Sequence, residues 1–423
     1  MEFKRSTNAS QYLKIIALLS VVIMVGSLDV IQPKVNCYSS IYQFGDSLAD
    51  TGNLLISGPG VLSAIAELSY GETYFNKATG PQAYGLSFLP PYLRRLADYS
   101  SGVNFAVAGA TALNALFFLE KVIPIITSFS LSTQIQWFKD FKKMYCSGTE
   151  DCEGHFENSL FILGEIGGND LNLPFGLGIS IDKVTPFVPL IIQTIKTALE
   201  VLIQENAKKI LVPGNLPIGC SPFYLATHPS NVPSDYDDMG CLVKFNNFSQ
   251  SNIKLLRMML QDVQRDHPDV SIVYADYYSA EMKILRNPQK YGLQKNNFRV
   301  CCGKGGKYNY CPPFSCNVSA NLCPNPKEYI NWDGIHLTET VYRAISQMLI
   351  NGEKTSLFSN STRIAFELAL PQRIPSEQGG NLDITVNYTI LAAFSSNLDL
   401  HSKLQFVKRH FRRFEMQFGW QLV

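Results

Sequence analysis

The 423 residues include 36 Lys and Arg against 35 Asp and Glu, a formal net charge of +1, and 46% are hydrophobic. So even a balance makes no long-range field for a nucleic acid and argues against that partner class. The apolar share supports a substantial core, in one large α/β domain or two smaller ones.

Lys4, Arg5 and Lys14 precede or open an apolar run over 15–25, IIALLSVVIMV. The run has signal-peptide length and is short for a membrane span. The expectation is a signal peptide over 1–27, with Gly26-Ser27 as the small-residue cleavage region. An uncleaved N-terminal anchor is the rival, and no stable membrane insertion is expected. Secretion accounts for ten cysteines, an even set: Cys37, Cys146, Cys152, Cys220, Cys241, Cys301, Cys302, Cys311, Cys316 and Cys323. In an oxidising compartment these are expected as disulfides, with Cys146–Cys152 and Cys220–Cys241 as the pairings. A zinc site over 301–323 is the rival, but no histidine lies among those cysteines and the C-x2-C spacing is absent. Sequons at Asn247, Asn317, Asn360 and Asn387 suit a glycoprotein.

The β-branched and aromatic run at 41–44 predicts a short buried strand, and Gly45-Asp46-Ser47 follows at its end. A serine on such a turn can face a cleft, with small neighbours that let a substrate approach the backbone. The tripeptide alone is ordinary turn chemistry. Further on, GVNFAVAGATA at 102–112 predicts a strand running into small residues, and LFILG at 160–164 a stronger strand followed by Glu165-Ile166-Gly167-Gly168-Asn169-Asp170. Backbone N–H groups near glycine and an Asn amide are usual oxyanion-hole donors. Ser47, Gly109 and Asn169 each follow a predicted strand, and strand carboxyl ends converge on one crevice in an open parallel sheet.

Apolar positions over 184–206 at steps of three and four predict a helix packed on a sheet. A strand at 209–213, a helix at 241–266, a strand at 270–275 and a closing helix at 338–349 follow. This alternation predicts a mostly parallel sheet covered on both faces. The Cys-, Gly- and Pro-rich loop 303–326 is either a wall of the cleft or a tie near the last helix. Just before that helix stands NWDGIHLTE, 331–339. Asp333 and His336 are spaced so that the carboxylate can accept from the ring, with Gly334 letting the chain fold back; a helix cap and a metal site are the alternatives.

The ordered segments FGDSLADTGN, GVNFAVAGATAL, GEIGGND, LVPGNLPIGC and WDGIHLTE resemble the GDSL esterases/lipases of the SGNH hydrolase superfamily, in their plant secreted branch. The similarity covers about 41–349 and is greatest to the subset containing sinapine and acetylajmalan esterases. It implies a single flavodoxin-like αβα sandwich over 38–352. It also implies Ser47 as nucleophile, His336 as base, Asp333 as its orienter, and an oxyanion hole of the Ser47 and Gly109 N–H groups with the Asn169 side chain. No metal or organic cofactor is implied. Small acyl esters of plant metabolites, choline or sugars are the implied substrates, in the apoplast, cell wall or vacuole. An acyltransferase using the same triad, or a secreted binding protein, are the alternatives; the oligomeric state is left open.

Two features depart from that family. After Thr79-Gly80 the chain passes directly to Pro81-Gln82-Ala83-Tyr84, where members usually carry an Arg-x-Ser-Asp-Gly-Arg segment and an amphipathic helix. Loss of that helix would leave one sheet face short of cover, at ~1.5–3 kcal/mol per uncovered aliphatic side chain. The chain also continues over 353–423 into a basic-aromatic end, Lys408-Arg409-His410-Phe411-Arg412-Arg413-Phe414. Without repeat or sustained amphipathic period, this tail is expected to have little fixed structure.

Overall fold

A computed structural model describes residues 38–57, 89–147, 152–294, 298–312, 316–317 and 319–357. The expected signal peptide, the segment after Gly80 and most of the tail lie outside these residues, as do Cys37, Asn360 and Asn387.

In chain order the elements are β1 (Ile41–Phe44), α1 (Asn53–Ile56), β2 (Gly102–Asn104), α2 (Ala115–Leu119), α3 (Leu131–Cys146), α4 (Cys152–Glu157), β3 (Leu160–Leu163), α5 (Gly168–Gly176), α6 (Phe187–Gln204), β4 (Lys209–Pro213), α7 (Pro222–Thr227), α8 (Val243–Asp266), β5 (Ser271–Ala275), α9 (Tyr277–Arg286), β6 (Cys302–Gly303), β7 (Asn321–Leu322), α10 (Glu339–Ile350) and β8 (Thr355–Leu357). The main sheet has the order β2-β1-β3-β4-β5-β8. Its first five strands are parallel, and β8 runs antiparallel to β5. The α/β class and mostly parallel sheet agree with the expectation. All four residues of β3 are buried, as a strand covered on both faces requires.

The helices form where the apolar spacing put them, with shifted ends. α6 buries Val188, Ile191, Ile195, Ala198 and Leu202 in one stripe, but it starts at Phe187 because Pro186 precedes its first turn. By length and composition, Ile181–Gln204 could cross a membrane; here the stripe on α6 is buried in the hydrophobic core of the domain. α8 starts at Val243, because Cys241 is held in a disulfide and Leu242 is the capping position. Helices α3, α6 and α8 pack side by side, and α9 packs on α10.

Around β1 the core is aromatic. Tyr42 and Phe44 meet Phe138, Phe156, Phe161 and Phe105 at centroid distances of 5.1–5.8 Å, a spacing at which ring pairs add to area burial. The sheet also continues past residue 352. Backbone pairing of Thr355–Leu357 with β5 draws those residues out of the segment expected as tail.

Disulfides join Cys146 to Cys152, Cys220 to Cys241, Cys301 to Cys323 and Cys302 to Cys316. The first two are the expected pairings, and the last two replace the zinc alternative. Cys311 corrects the expectation that every cysteine is paired: it is exposed with a free thiol.

Candidate active site

Ser47 stands on the turn that leaves β1, half-buried, while Asp46 and Leu48 on either side are buried. Gly45 was expected to be small so that substrate could approach. Its neighbours give another reason: a Cβ there would lie 2.9 Å from the carbonyl oxygens of both Gly164 and Glu165. The Gln134 side chain, fully buried on α3, accepts from Gly45 N (2.9 Å) and donates to Gly45 O (2.8 Å). Asp46 N donates to Glu165 O at 2.8 Å. The serine turn is thus fastened to β3 and α3 on its protein side, leaving Ser47 Oγ to face His336.

The histidine arrives on a turn closed by an antiparallel bridge between Asn331 and Leu337. Asp333 Oδ1 accepts from the N–H groups of Ile335 (2.8 Å) and His336 (2.7 Å), and Oδ2 lies 2.7 Å from His336 Nδ1. An ionised carboxylate only accepts, so Nδ1 carries the proton and the Nε2 lone pair faces outward. Nε2 lies 2.8 Å from Ser47 Oγ. Both ring nitrogens therefore have protein partners, and Asp333 closes the turn rather than capping α10. That helix begins after Thr338. Among the other described histidines, His155 sits between the hydroxyls of Tyr42 (3.0 Å) and Tyr145 (3.2 Å), and His228 contacts Thr227.

Gly334 is needed for a ring rather than for the backbone: a Cβ there would lie 2.4 Å from the Tyr310 ring. Tyr310 belongs to the Cys-rich loop, and just before that loop Cys301 N donates to Asn331 O (2.9 Å) and Cys302 N to Trp332 O (2.8 Å). The loop is a tie that backs the Asp333–His336 turn. On the other side Ser221 Oγ (2.6 Å) and Phe223 N (2.8 Å) donate to Gly334 O, and Leu337 N donates to Tyr342 Oη at 3.0 Å.

Gly109 and Asn169 follow β2 and β3, the two neighbours of β1 in the sheet. Among the described residues, neither Ser47 N nor Gly109 N meets an acceptor. Asn169 is buried; its Nδ2 donates to Ala110 O at 2.9 Å and, at a longer 3.4 Å, to Asp46 Oδ2. Motif residues that carried no assigned role turn out to be ties. Asp50 accepts from Gly52, Asn53 and Leu54 and also from Ala108 (2.8 Å), next to Gly109. Asn53 Nδ2 donates to the carbonyls of Asn104 and Ala106. Asp170 accepts from Ala112 and Leu113. Their places inside the motifs were the available signal; Gln134, in the polar part of a helix, offered none.

Several of these acids are buried deeply enough to resist ionisation. Burial pushes Asp46 up to about 7, with Asp170 adding to the rise and Leu48 N–H and His336 opposing it. Burial also pushes Asp170 up to about 7 against its backbone donors, and holds Glu165 well above the carboxylate range with help from Asp46. For His336, burial disfavours the imidazolium. The charge and hydrogen bond of Asp333, with the charge of Asp46, outweigh it and hold the ring above the usual imidazole range. Among the described residues, no group of three or more His, Cys, Asp or Glu is placed to hold a metal ion. Of the sequon residues, Asn247 is exposed on α8 and Asn317 is half-buried.

Residues 41–349 match the family model of GDSL-like lipases/acylhydrolases. The chain is 40% identical over 340 residues to a GDSL esterase/lipase of Arabidopsis thaliana, covering 75% of this chain and 91% of the relative. It is 38% identical over 364 residues to another Arabidopsis thaliana GDSL esterase/lipase, covering 81% and 95%. It is 39% identical over 339 residues to the sinapine esterase of Brassica napus, covering 76% and 87%. An α/β sheet of this order and a family match across most of the chain have one consequence: the protein belongs to the GDSL-like lipase/acylhydrolase family and is a carboxylic-ester hydrolase.

Proposed function

We propose that the protein cleaves small carboxylic esters through an acyl-enzyme on Ser47. The observation that carries this is the continuous chain of contacts, 2.8 Å from Ser47 Oγ to His336 Nε2 and 2.7 Å from His336 Nδ1 to Asp333 Oδ2. Nε2 takes the hydroxyl proton as Oγ attacks the ester carbonyl, and Asp333 balances the imidazolium that forms. The negative oxygen of the tetrahedral intermediate is met by Ser47 N–H, Gly109 N–H and the Asn169 amide, each worth ~2.7–4 kcal/mol to the transition state. The long Asn169–Asp46 contact is the one that the oxyanion displaces. His336 then protonates the departing alcohol, and a water molecule repeats the sequence on the acyl-enzyme.

Small acyl esters of plant metabolites, choline or sugars are the proposed substrates, supported by similarity to a relative named for sinapine. Passage through the secretory pathway, to the extracellular space or vacuole, is supported by four disulfides in one domain. Fluorophosphonate labelling of the secreted protein beside its Ser47→Ala variant tests the nucleophile. Labelling and ester turnover should both vanish in the variant with secretion unchanged; retained turnover would remove Ser47 from the mechanism.

A further inference from the structure

Gly109 lies in the loop after β2 and Asn169 in the first turn of α5, which follows β3, with β1 between those strands. For both to reach one oxygen, the loop must be held against the helix, and a misplacement of 1 Å costs on the order of 10²-fold in rate. Asp170, next to Asn169 on α5, is fully buried. Its two oxygens accept from successive N–H groups of the Gly109 loop: Oδ2 from Ala112 at 2.8 Å and Oδ1 from Leu113 at 2.9 Å. With the Asn169 amide on Ala110 O at 2.9 Å, residues 110–113 are fastened to the start of α5 at three points. Two adjacent N–H groups call for two accepting oxygens. An amide would offer one oxygen and turn its own NH₂ toward the other donor. A dry carboxyl is a costly fastener, as its rise to about 7 on burial indicates.

We propose that Asp170 is a positioning residue for ester cleavage, holding the Gly109 loop where its N–H and the Asn169 amide converge on the same oxyanion. This role rests on the catalytic reading above. Asp170 does not meet the substrate; it acts through the loop, so its loss should reach kcat and spare KM.

The test compares Asp170→Asn, Asn169→Ala and the double variant as full-length secreted proteins. p-Nitrophenyl acetate is the substrate, and rates are taken per site titrated to completion with a fluorophosphonate. Asp170→Asn is expected to lower kcat by roughly 30–100-fold with KM within about twofold. The double variant should lose little more than Asn169→Ala alone, since both changes disable the same oxyanion pocket. A merely structural Asp170 would lower secreted yield and Tm, leave kcat per titrated site near the parent value, and overturn the proposal. If Asp170→Asn is not secreted, Asp170→Glu keeps both oxygens but displaces them by a methylene; the same kcat loss is expected, and an unchanged kcat overturns the role. Loss in Asn169→Ala with Asp170 variants unaffected overturns the clamp alone. An unaffected Asn169→Ala overturns the oxyanion reading and the clamp together.

Discussion

His336 Nε2 lies 2.8 Å from Ser47 Oγ across a sequence separation of 289 residues. The contact joins the end of the first strand to a turn just before the last helix of the domain. Neither end is free to drift: Gln134 and Glu165 hold the serine turn, while Tyr310, Cys301, Cys302 and Tyr342 hold the histidine turn. The geometry of the pair is thus decided by neighbours drawn from other helices and loops of the fold.

Asp333→Asn should keep the turn but change the histidine. An amide cannot hold the Nδ1 proton as the carboxylate does, so the wrong tautomer forms and kcat should drop by about 10⁴-fold. In the proposed mechanism His336 must be neutral to act as base, so activity should fall as pH drops through its raised pKa. The acid limb of kcat/KM should therefore lie above that of an ordinary imidazole, and Asp333→Asn should move the limb to lower pH. A limb that does not move would separate Asp333 from the base.

Asn169→Ala removes one of the proposed oxyanion donors. Loss of kcat by about 10²–10³-fold with KM little changed is the expected result, read from initial rates on a chromogenic ester. Equal loss in KM would mark Asn169 as a ground-state contact instead.

Gly334→Ala drives a methyl group into the Tyr310 ring, at a distance no relaxed contact allows. Overpacking of this kind costs ~1–3 kcal/mol, and here it displaces the turn that carries His336. Thermal melts should show the lost stability, and turnover should fall with it. Adding Tyr310→Ala, which vacates the space, should restore part of the turnover. No restoration would show that the backbone, and not the ring, requires the glycine.

Glu281 is buried on α9, and burial pushes it up to about 8. A carboxyl raised on folding contributes its stability below the unfolded pKa, near 4.5, and loses it as pH rises through about 8. Glu281→Gln should raise Tm at pH 8 and do little at pH 5, without altering kcat. Equal shifts at both pH values would mean that Glu281 is charged or paired in the fold.

Much of the fold was legible because its signals are local. The β4 run is bounded by residues 209 and 213 as expected, and the stripes on α6 and α8 follow the apolar spacing. Helix starts moved where Pro186 and the Cys241 disulfide intervene, since a ring or a crosslink overrides periodicity. Ser47, Asp333 and His336 were legible as a set because each lies in a short motif whose residue types suit one chemistry.

The sequence by itself determined the strand and helix order, the family and the candidate site residues, because apolar periodicity and motif spacing are written within a few residues. Only the tertiary structure decided that β2, β1 and β3 lie side by side, bringing Gly109, Ser47 and Asn169 to neighbouring strand ends. It alone decided that Asp50, Asn53, Asp170 and Gln134 are ties, that Gly334 faces Tyr310, and which partners adjacent Cys301 and Cys302 take. These outcomes depend on contacts between segments far apart in the chain, and only sheet register and packing select among the many partners that the residues could take.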